Sequence, residues 1–433
     1  MKFIPLLIGI SLGCQSALAA DLHVKTDGSD SNSGSSWTDA FQTLQKALSI
    51  AVAGDHIWIA EGTYHPDDGP GQTADQRASV FTLTANVEIY GGFPADGSVT
   101  NLLDRDPAAH PVILSGEIQQ DADPVNNAYH VILADDGNDA SNRTILLDGI
   151  TITGGHADLN DANNNHRGGG ILSREALTLR NVIVTGNYAL GYGGGASLFV
   201  GNCILDQCLF SSNESAGGGG GGAIRLNTSD LTAVDTHFTL NTASNATGDG
   251  GAIHCPSNSS LTLTRCEFTA NTARYGGGIY KIGSGTLLNC LFSENQAQFG
   301  GGIYNGSNLN LTNCAFRANT ATSDGGGLFN APGGTTNLTN CTLRSNQADA
   351  NGGGFRQNGG TTTLTNTILW DNTEAGTTTA PGAGISVSGT NPFYTYSLIQ
   401  NQNPTGTGNL DGTDPANDPL FISPTDLRIQ LGS

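Results

Sequence analysis

The chain is short of what builds an ordinary globular core and surface: 433 residues hold one methionine, three tryptophans, 6% aromatic residues and 13% charged residues. Basic residues are scarcer than acidic ones. Seventeen Lys and Arg stand against 38 Asp and Glu, a formal net charge of −21, which argues against nucleic acid or an anionic membrane as partner. Beyond the first dozen residues no apolar run approaches the ~20 that a membrane helix needs, and no closing set of barrel strands is evident near the C-terminal end. What the chain has in excess is glycine, 61 residues. Helical domains do not have this composition.

The N-terminus reads Met1-Lys2, an apolar stretch from Phe3 to Leu12, then Ala17-Leu18-Ala19. That pattern predicts an export signal over residues 1–20, cleaved near Ala19 or Ala20. Gly13-Cys14 offers a lipobox as the alternative, but Ser11 stands three residues before the Cys, where Leu is usual. Loss of residues 1–20 leaves −22 and seven of the eight cysteines.

Eight times between Val182 and Asn372 one phrase recurs, ending in an Asn at 187, 213, 241, 271, 295, 319, 346 and 372, a period of 24 to 30 residues. Each phrase is followed by a glycine cluster and an apolar residue. Such a period means a solenoid, because one unit is too short to bury its own apolar face and must stack on its neighbours. In Leu309-Asn-Leu311-Thr-Asn313-Cys314-Ala-Phe316 the apolar residues alternate twice with a step of three between the pairs. A bend at Thr312-Asn313 returns both pairs to the interior. A third strand follows the glycines at Ile171, Ile224, Ile253, Ile279, Ile303, Leu328 and Phe355. The prediction is an all-β, parallel β-helix of three strands per coil and about a dozen coils, on the order of 60 Å long.

Several columns follow from that alignment. Asn at the bend (181, 289, 313, 340, 366) and Asn closing the phrase read as structural, since Asn tolerates left-handed angles and bonds local backbone. Cys208, Cys266, Cys290, Cys314 and Cys341 read as a buried thiol ladder: neighbouring coils are ~4.8 Å apart, wider than the ~3.8 Å between the Cβ atoms of a disulfide. Export-driven disulfides stay the alternative. The glycine strings lack the Lys-Ser/Thr ending of a phosphate loop. Residues 21–54 are expected to cap the stack, with an amphipathic helix over Trp37–Ala51 burying Phe41, Leu44, Leu48 and Ala51. Residues 55–155 are expected as irregular coils with long loops, 156–400 as regular repeats and 401–433 as a closing segment, with truncation of that segment as the alternative.

The Gly-Gly-Ala-Ile and Phe-x-x-Asn motifs resemble the repeats of chlamydial polymorphic outer membrane proteins. Asp27-Gly-Ser-Asp-Ser-Asn-Ser-Gly34 and Gly54-Asp-His-Ile-Trp-Ile-Ala-Glu-Gly-Thr-Tyr64 resemble secreted bacterial right-handed β-helix proteins of the pectin-lyase-like class. The resemblance implies a right-handed helix, display at the cell surface and often adhesion. It is weak on activity, since this fold hosts enzymes and non-catalytic adhesins alike.

Directly after the apolar residue that follows the glycines stand Arg225, His254, Tyr280, Tyr304, Phe329 and Arg356. Alternation turns this column outward, and an aromatic strip with Arg at both ends suits sugar rings. The bland reading is rings that only stabilise the sheet. Polar Lys281, Asn305 and Asn330 two positions on argue for a short strand, which weakens the alternation. A polysaccharide lyase or glycosidase needs a compact carboxylate and basic set. Arg225, Lys281 and Arg356 lie in separate coils, and Asp249 and Asp324 three coils apart. The reading is therefore an exported, non-catalytic and monomeric β-helix surface protein, an adhesin or glycan-contacting passenger in the bacterial outer envelope, without cofactor or metal. The alternative is a calcium-assisted polysaccharide lyase or glycoside hydrolase in the loops of 110–170, around His156, Asp158, Asp161, His166 and Arg167. The loops Asp121–Asn127 and Asp158–Asn165 carry oxygen at alternate positions, but lack the turning Gly and closing Glu of a calcium loop.

Overall fold

The structure is a computed structural model, which describes residues 19–83, 86–135, 137, 144–161 and 163–421. Most of the expected export signal and the segment Leu427–Ser433 lie outside the described residues.

One coil shows how the sequence makes the shape. Gly300 sits at φ +68°, an angle that costs an L side chain roughly 1–2 kcal/mol and glycine nothing. A Cβ on Gly301 would stand 2.3 Å from the Gly326 carbonyl oxygen of the next coil. The glycines turn the chain and let coils touch backbone to backbone. Four short strands follow, Ile303–Asn305, Asn308–Thr312, Ala315–Arg317 and Thr320–Asp324. The first two share one sheet, so the coil has three faces; in two earlier coils they run unbroken as Ala196–Asp206 and Ile224–Val234. Successive coils pair in parallel, with Ile303 opposite Leu328 and Phe316 opposite Leu343. The second face alone stacks twelve strands.

The bend works as its residues require. Asn313 takes φ +54°, and Leu309, Leu311, Cys314 and Phe316 on either side of it are all buried. Outside, the bend amides bond each other, Asn313 Nδ2 donating to Asn289 Oδ1 at 3.0 Å and Asn340 Nδ2 to Asn313 Oδ1 at 3.0 Å. Inside, Phe238, Phe268, Phe292 and Phe316 stack at 4.7–4.8 Å between centroids, one coil pitch.

The Asn that closes each phrase is wholly buried and wholly satisfied. Asn295 Oδ1 accepts from the Asn271 backbone N–H at 3.0 Å and from Asn271 Nδ2 at 3.0 Å, while Asn295 Nδ2 donates to the Phe268 carbonyl at 2.8 Å. The pattern repeats from Asn187 to Asn372 and ends on Gln400, whose Oε1 takes the Asn372 N–H at 2.9 Å. The thiol ladder is also present. All seven described cysteines are free and buried, and each ladder S–H lies 3.3–3.6 Å from a carbonyl of the preceding coil. Thr236 stands in that column between Cys208 and Cys266 and Thr367 after Cys341; Thr236 donates to the Val234 carbonyl of its own coil at 2.9 Å and Thr367 to the Leu338 carbonyl of the preceding coil at 3.5 Å.

Two expectations need correction. The helix is shorter than Trp37–Ala51: Trp37–Asp39 is a 3-10 turn and the α-helix, α1, is Leu44–Ile50. Phe41 intervenes as a strand residue bridged to Val24, and Asp30 accepts from the N–H groups of Gln42 and Thr43, fixing the helix start. Phe41, Leu44 and Ala47 bury into the core, with Leu48 and Ala51 packed partly against it. The second correction concerns Lys281, Asn305 and Asn330. Each does end a three-residue strand, as expected, but the alternation is not weakened, since all three point inward at 0% exposure. Asn305 and Asn330 bond each other and Thr336. Lys281 Nζ donates to the Gly283 carbonyl at 2.5 Å, and burial pushes its pKa down to about 8. Its chain occupies the space of a missing leucine: a Cβ on Gly285, opposite Leu261 and Leu309, would stand 2.7 Å from Lys281 Cδ.

Because each ladder Asn satisfies groups in two coils, Asn295→Ala should cost about 2–4 kcal/mol. Urea unfolding measures this; a loss under ~1 kcal/mol would remove the ladder from the account.

Candidate functional site

A strand that opens on an inward Ile, Leu or Phe presents its next residue outward. Arg225, His254, Tyr280, Tyr304, Phe329 and Arg356 therefore stand opposite one another in consecutive coils, in register throughout. The rings are spaced by the coil pitch. Tyr280 and Tyr304 stack at 5.1 Å, as do Tyr304 and Phe329, and His254 meets Tyr280 edge-on at 4.8 Å.

The file is not uniformly open. Tyr280, Tyr304, Arg225 and Arg356 are partly exposed, whereas His254 and Phe329 are only 6% and 4% exposed. This corrects the expectation of six outward contacts. The cover comes from a second file, the residues just before the glycines, of which the sequence singled out Asp249 and Asp324 but not the rings between them. Asp249, Tyr275, Phe299 and Asp324 are joined there in parallel. Phe299 lies edge-on to Phe329 at 5.7 Å, and Tyr275 edge-on to Tyr304 at 5.2 Å. An aromatic residue one place before the glycines was the available signal.

The same second file changes the electrostatics. Arg225 Nη1 donates to the Gly219 carbonyl at 2.8 Å, and its guanidinium lies 5.4 Å from the Tyr192 ring centre. Arg167 lies 4.7 Å from that ring. Burial raises the Asp249 carboxyl to about 6, against the opposing pull of Arg225 and Arg274, and its Oδ1 has no hydrogen-bond partner. Burial also lowers the pKa of His254 well below the usual histidine value. Asp249, in the turn of the coil after Arg225, lies near enough for the two charges to act on each other, a single acid–base pair and not a compact set. Arg356, whose Nη1 donates to Ser386 Oγ at 2.8 Å, is four coils away.

In the described part of the loops of 110–170 the charged side chains bond one another and their own loops. Arg77 Nη2 donates to Asp158 Oδ1 at 2.7 Å, and His156 lies 3.7 Å from the same carboxylate. Arg167 donates to His166 Nε2 at 2.9 Å. Asp121 and Asp161 accept from amides of their own loops. Among the described residues no three His, Cys, Asp or Glu groups converge to hold a metal ion. A cleft of about 480 Å³ opens nearby, lined by His130, Asp135, Asn165 and Arg174 among others.

Residues 219–402 match the family described as right handed beta helix region. The fold is a right-handed β-helix. Residues 26–236 match a family described as a protein of unknown function, DUF1565. No curated protein matches the chain. Among solved structures, this β-helix is similar to a rhamnogalacturonan lyase at 12% identity, covering 88% of this chain and 87% of that one, with a TM-score of 0.41. It is similar to the pectate lyase Pel9A at 13% identity, covering 96% and 90%, with a TM-score of 0.42. Likeness at that level says nothing about substrate or reaction.

The raised Asp249 pKa carries a stability consequence. Its folded pKa lies above the unfolded value, so the native state loses stability as pH rises from about 4 to about 6. Asp249→Asn should remove that loss, gaining about 2 kcal/mol at pH 7 and almost nothing near pH 4. Denaturant titrations at the two pH values measure it; equal effects at both would show that Asp249 is not the titrating group.

Proposed function

We propose that this β-helix is an exported bacterial envelope protein that contacts glycan through the Tyr280–Tyr304 strip without chemically altering it. The observation that carries the reading is the in-register file of rings with two partly exposed tyrosines at its centre. Ring faces at one coil pitch offer stacking surface along a rod, and the hydroxyls at their edges can bond sugar hydroxyls. Arg225 and Arg356 end the file with guanidinium donors suited to the same polar rim. The signal-like residues 1–20 support export, and the acidic charge keeps the rod away from nucleic acid.

A second reading has a specific observation behind it. His130 is buried at the 480 Å³ cleft, its Nδ1 3.0 Å from the Gly168 carbonyl oxygen, beside the Arg174–Asp135 ion pair at 3.3 Å, in the region where a lyase or glycosidase site was the alternative. One assay separates the two. The protein is incubated with acidic and neutral polysaccharides, with and without calcium, while bound fraction and released unsaturated or reducing ends are both measured. Tyr280→Ala with Tyr304→Ala should weaken glycan retention about tenfold or more while leaving the fold intact, since a stacked ring is worth roughly 0.5–1.5 kcal/mol beyond its area. Sustained turnover that survives those substitutions would replace the binding reading by the catalytic one.

A further inference from the structure

The coils that carry the strip also carry a second, wider feature on the same sheet. Their next strands are Ser260–Thr264, Ser284–Leu288, Asn308–Thr312, Thr335–Thr339 and Thr361–Thr365. The first, third and fifth residue of each strand face outward, since the second and fourth are buried throughout. Of these fifteen outward positions, fourteen are Ser, Thr or Asn; Leu288 is the exception, and none is charged. In a chain of net charge −21 a charge-free block of that size is not what a merely solvated face needs.

The block is ordered in two directions. Thr262, Thr286, Asn310, Asn337 and Thr363 stand opposite one another coil by coil. The result is a grid of hydroxyl and amide groups ~4.8 Å apart along the axis and ~6.7 Å along each strand. Its side chains are held: Asn337 Nδ2 donates to Asn310 Oδ1 at 2.9 Å, and Thr361 Oγ1 to Thr335 Oγ1 at 3.2 Å. Threonine is also stiff at χ1, so little side-chain freedom remains to be lost on contact. A lattice of charges would have to be desolvated against an uncharged partner at high cost; a lattice of hydroxyls and amides exchanges water bonds for partner bonds.

From this arrangement we infer that the outer face of these five coils binds a flat, uncharged polysaccharide whose chains pack in sheets, such as a β-1,4-linked glucan or its N-acetylated amino-sugar counterpart. This rests on the glycan-contact reading and narrows it. The Tyr280–Tyr304 rings lie along one margin of the grid in the same sheet, so sugar faces stack there while hydroxyls of adjacent chains meet the threonines and asparagines. The grid alone spans about 19 Å by 13 Å, too little for tight binding, and the strip widens the contact. Repetition on the partner matches repetition on the protein.

The test is adsorption of the full chain to microcrystalline cellulose and to α-chitin, beside soluble polygalacturonate. Adsorption to at least one solid should persist in ~1 M salt, where attraction between charges is screened. Thr262→Lys and Thr286→Lys, both exposed and outside the core, should each cut the adsorbed fraction about fivefold, and Thr286→Ser should not. If the lysine variants adsorb as well as the parent while Tyr280→Ala does not, the grid inference is wrong and the strip reading stands. Binding to polygalacturonate alone would have the same meaning. No retention on any glycan would end both, and slowed ice-crystal growth without adsorption would reassign the grid to ordered water.

Discussion

Each coil must satisfy, away from water, the polar groups its own turn leaves behind. The buried asparagine does this by linking the N–H and side-chain amide of one coil to the side-chain oxygen of the next and to a carbonyl of the one before. Such bonds have little tolerance for slip, because an unpaired buried amide costs roughly 1–3 kcal/mol. Loop length between coils varies by several residues, yet the asparagines stay in line. Pitch and register are therefore set from inside, and every outward column inherits them.

The outward columns make sense only on that footing. Tyr280 and Tyr304 stack because Asn271, Asn295 and Asn319 hold their coils at one spacing, and the grid of threonines and asparagines is regular for the same reason. The interior tolerates substitutions that respect geometry and hydrogen bonding. Threonine replaces cysteine in the thiol column with the same donor role, and Lys281 is admitted where Gly285 makes room. Chemistry on the surface is thus decoupled from the stack beneath it.

The architecture was legible because its signals repeat. Leu309, Leu311, Cys314 and Phe316 give the two inward strands and the Asn313 bend gives the corner, and both recur often enough to align without a structure. Single features were harder. The helix boundary at Thr43 depends on Asp30, thirteen residues away, and on Phe41 joining the sheet. Lys281 seemed to weaken the alternation because a lysine does not read as inward until the missing leucine at Gly285 is noticed. The covering of Phe329 came from Phe299 in the turn file, a residue adjacent to glycine that looks like loop. Asp249 and Arg225 act on each other's charge only because the chain returns one coil later to nearly the same place.

If the asparagine ladder sets pitch and register, its amides are among the best protected in the molecule. Native-state hydrogen exchange at single-residue resolution tests it. The backbone N–H groups of Asn241, Asn271, Asn295 and Asn319, each donated to a side chain inside the core, should exchange only through global unfolding and rank among the slowest in the chain. If they exchange as fast as the exposed turn around Asn245, the ladder is open in solution and the register of the outer columns has some other origin.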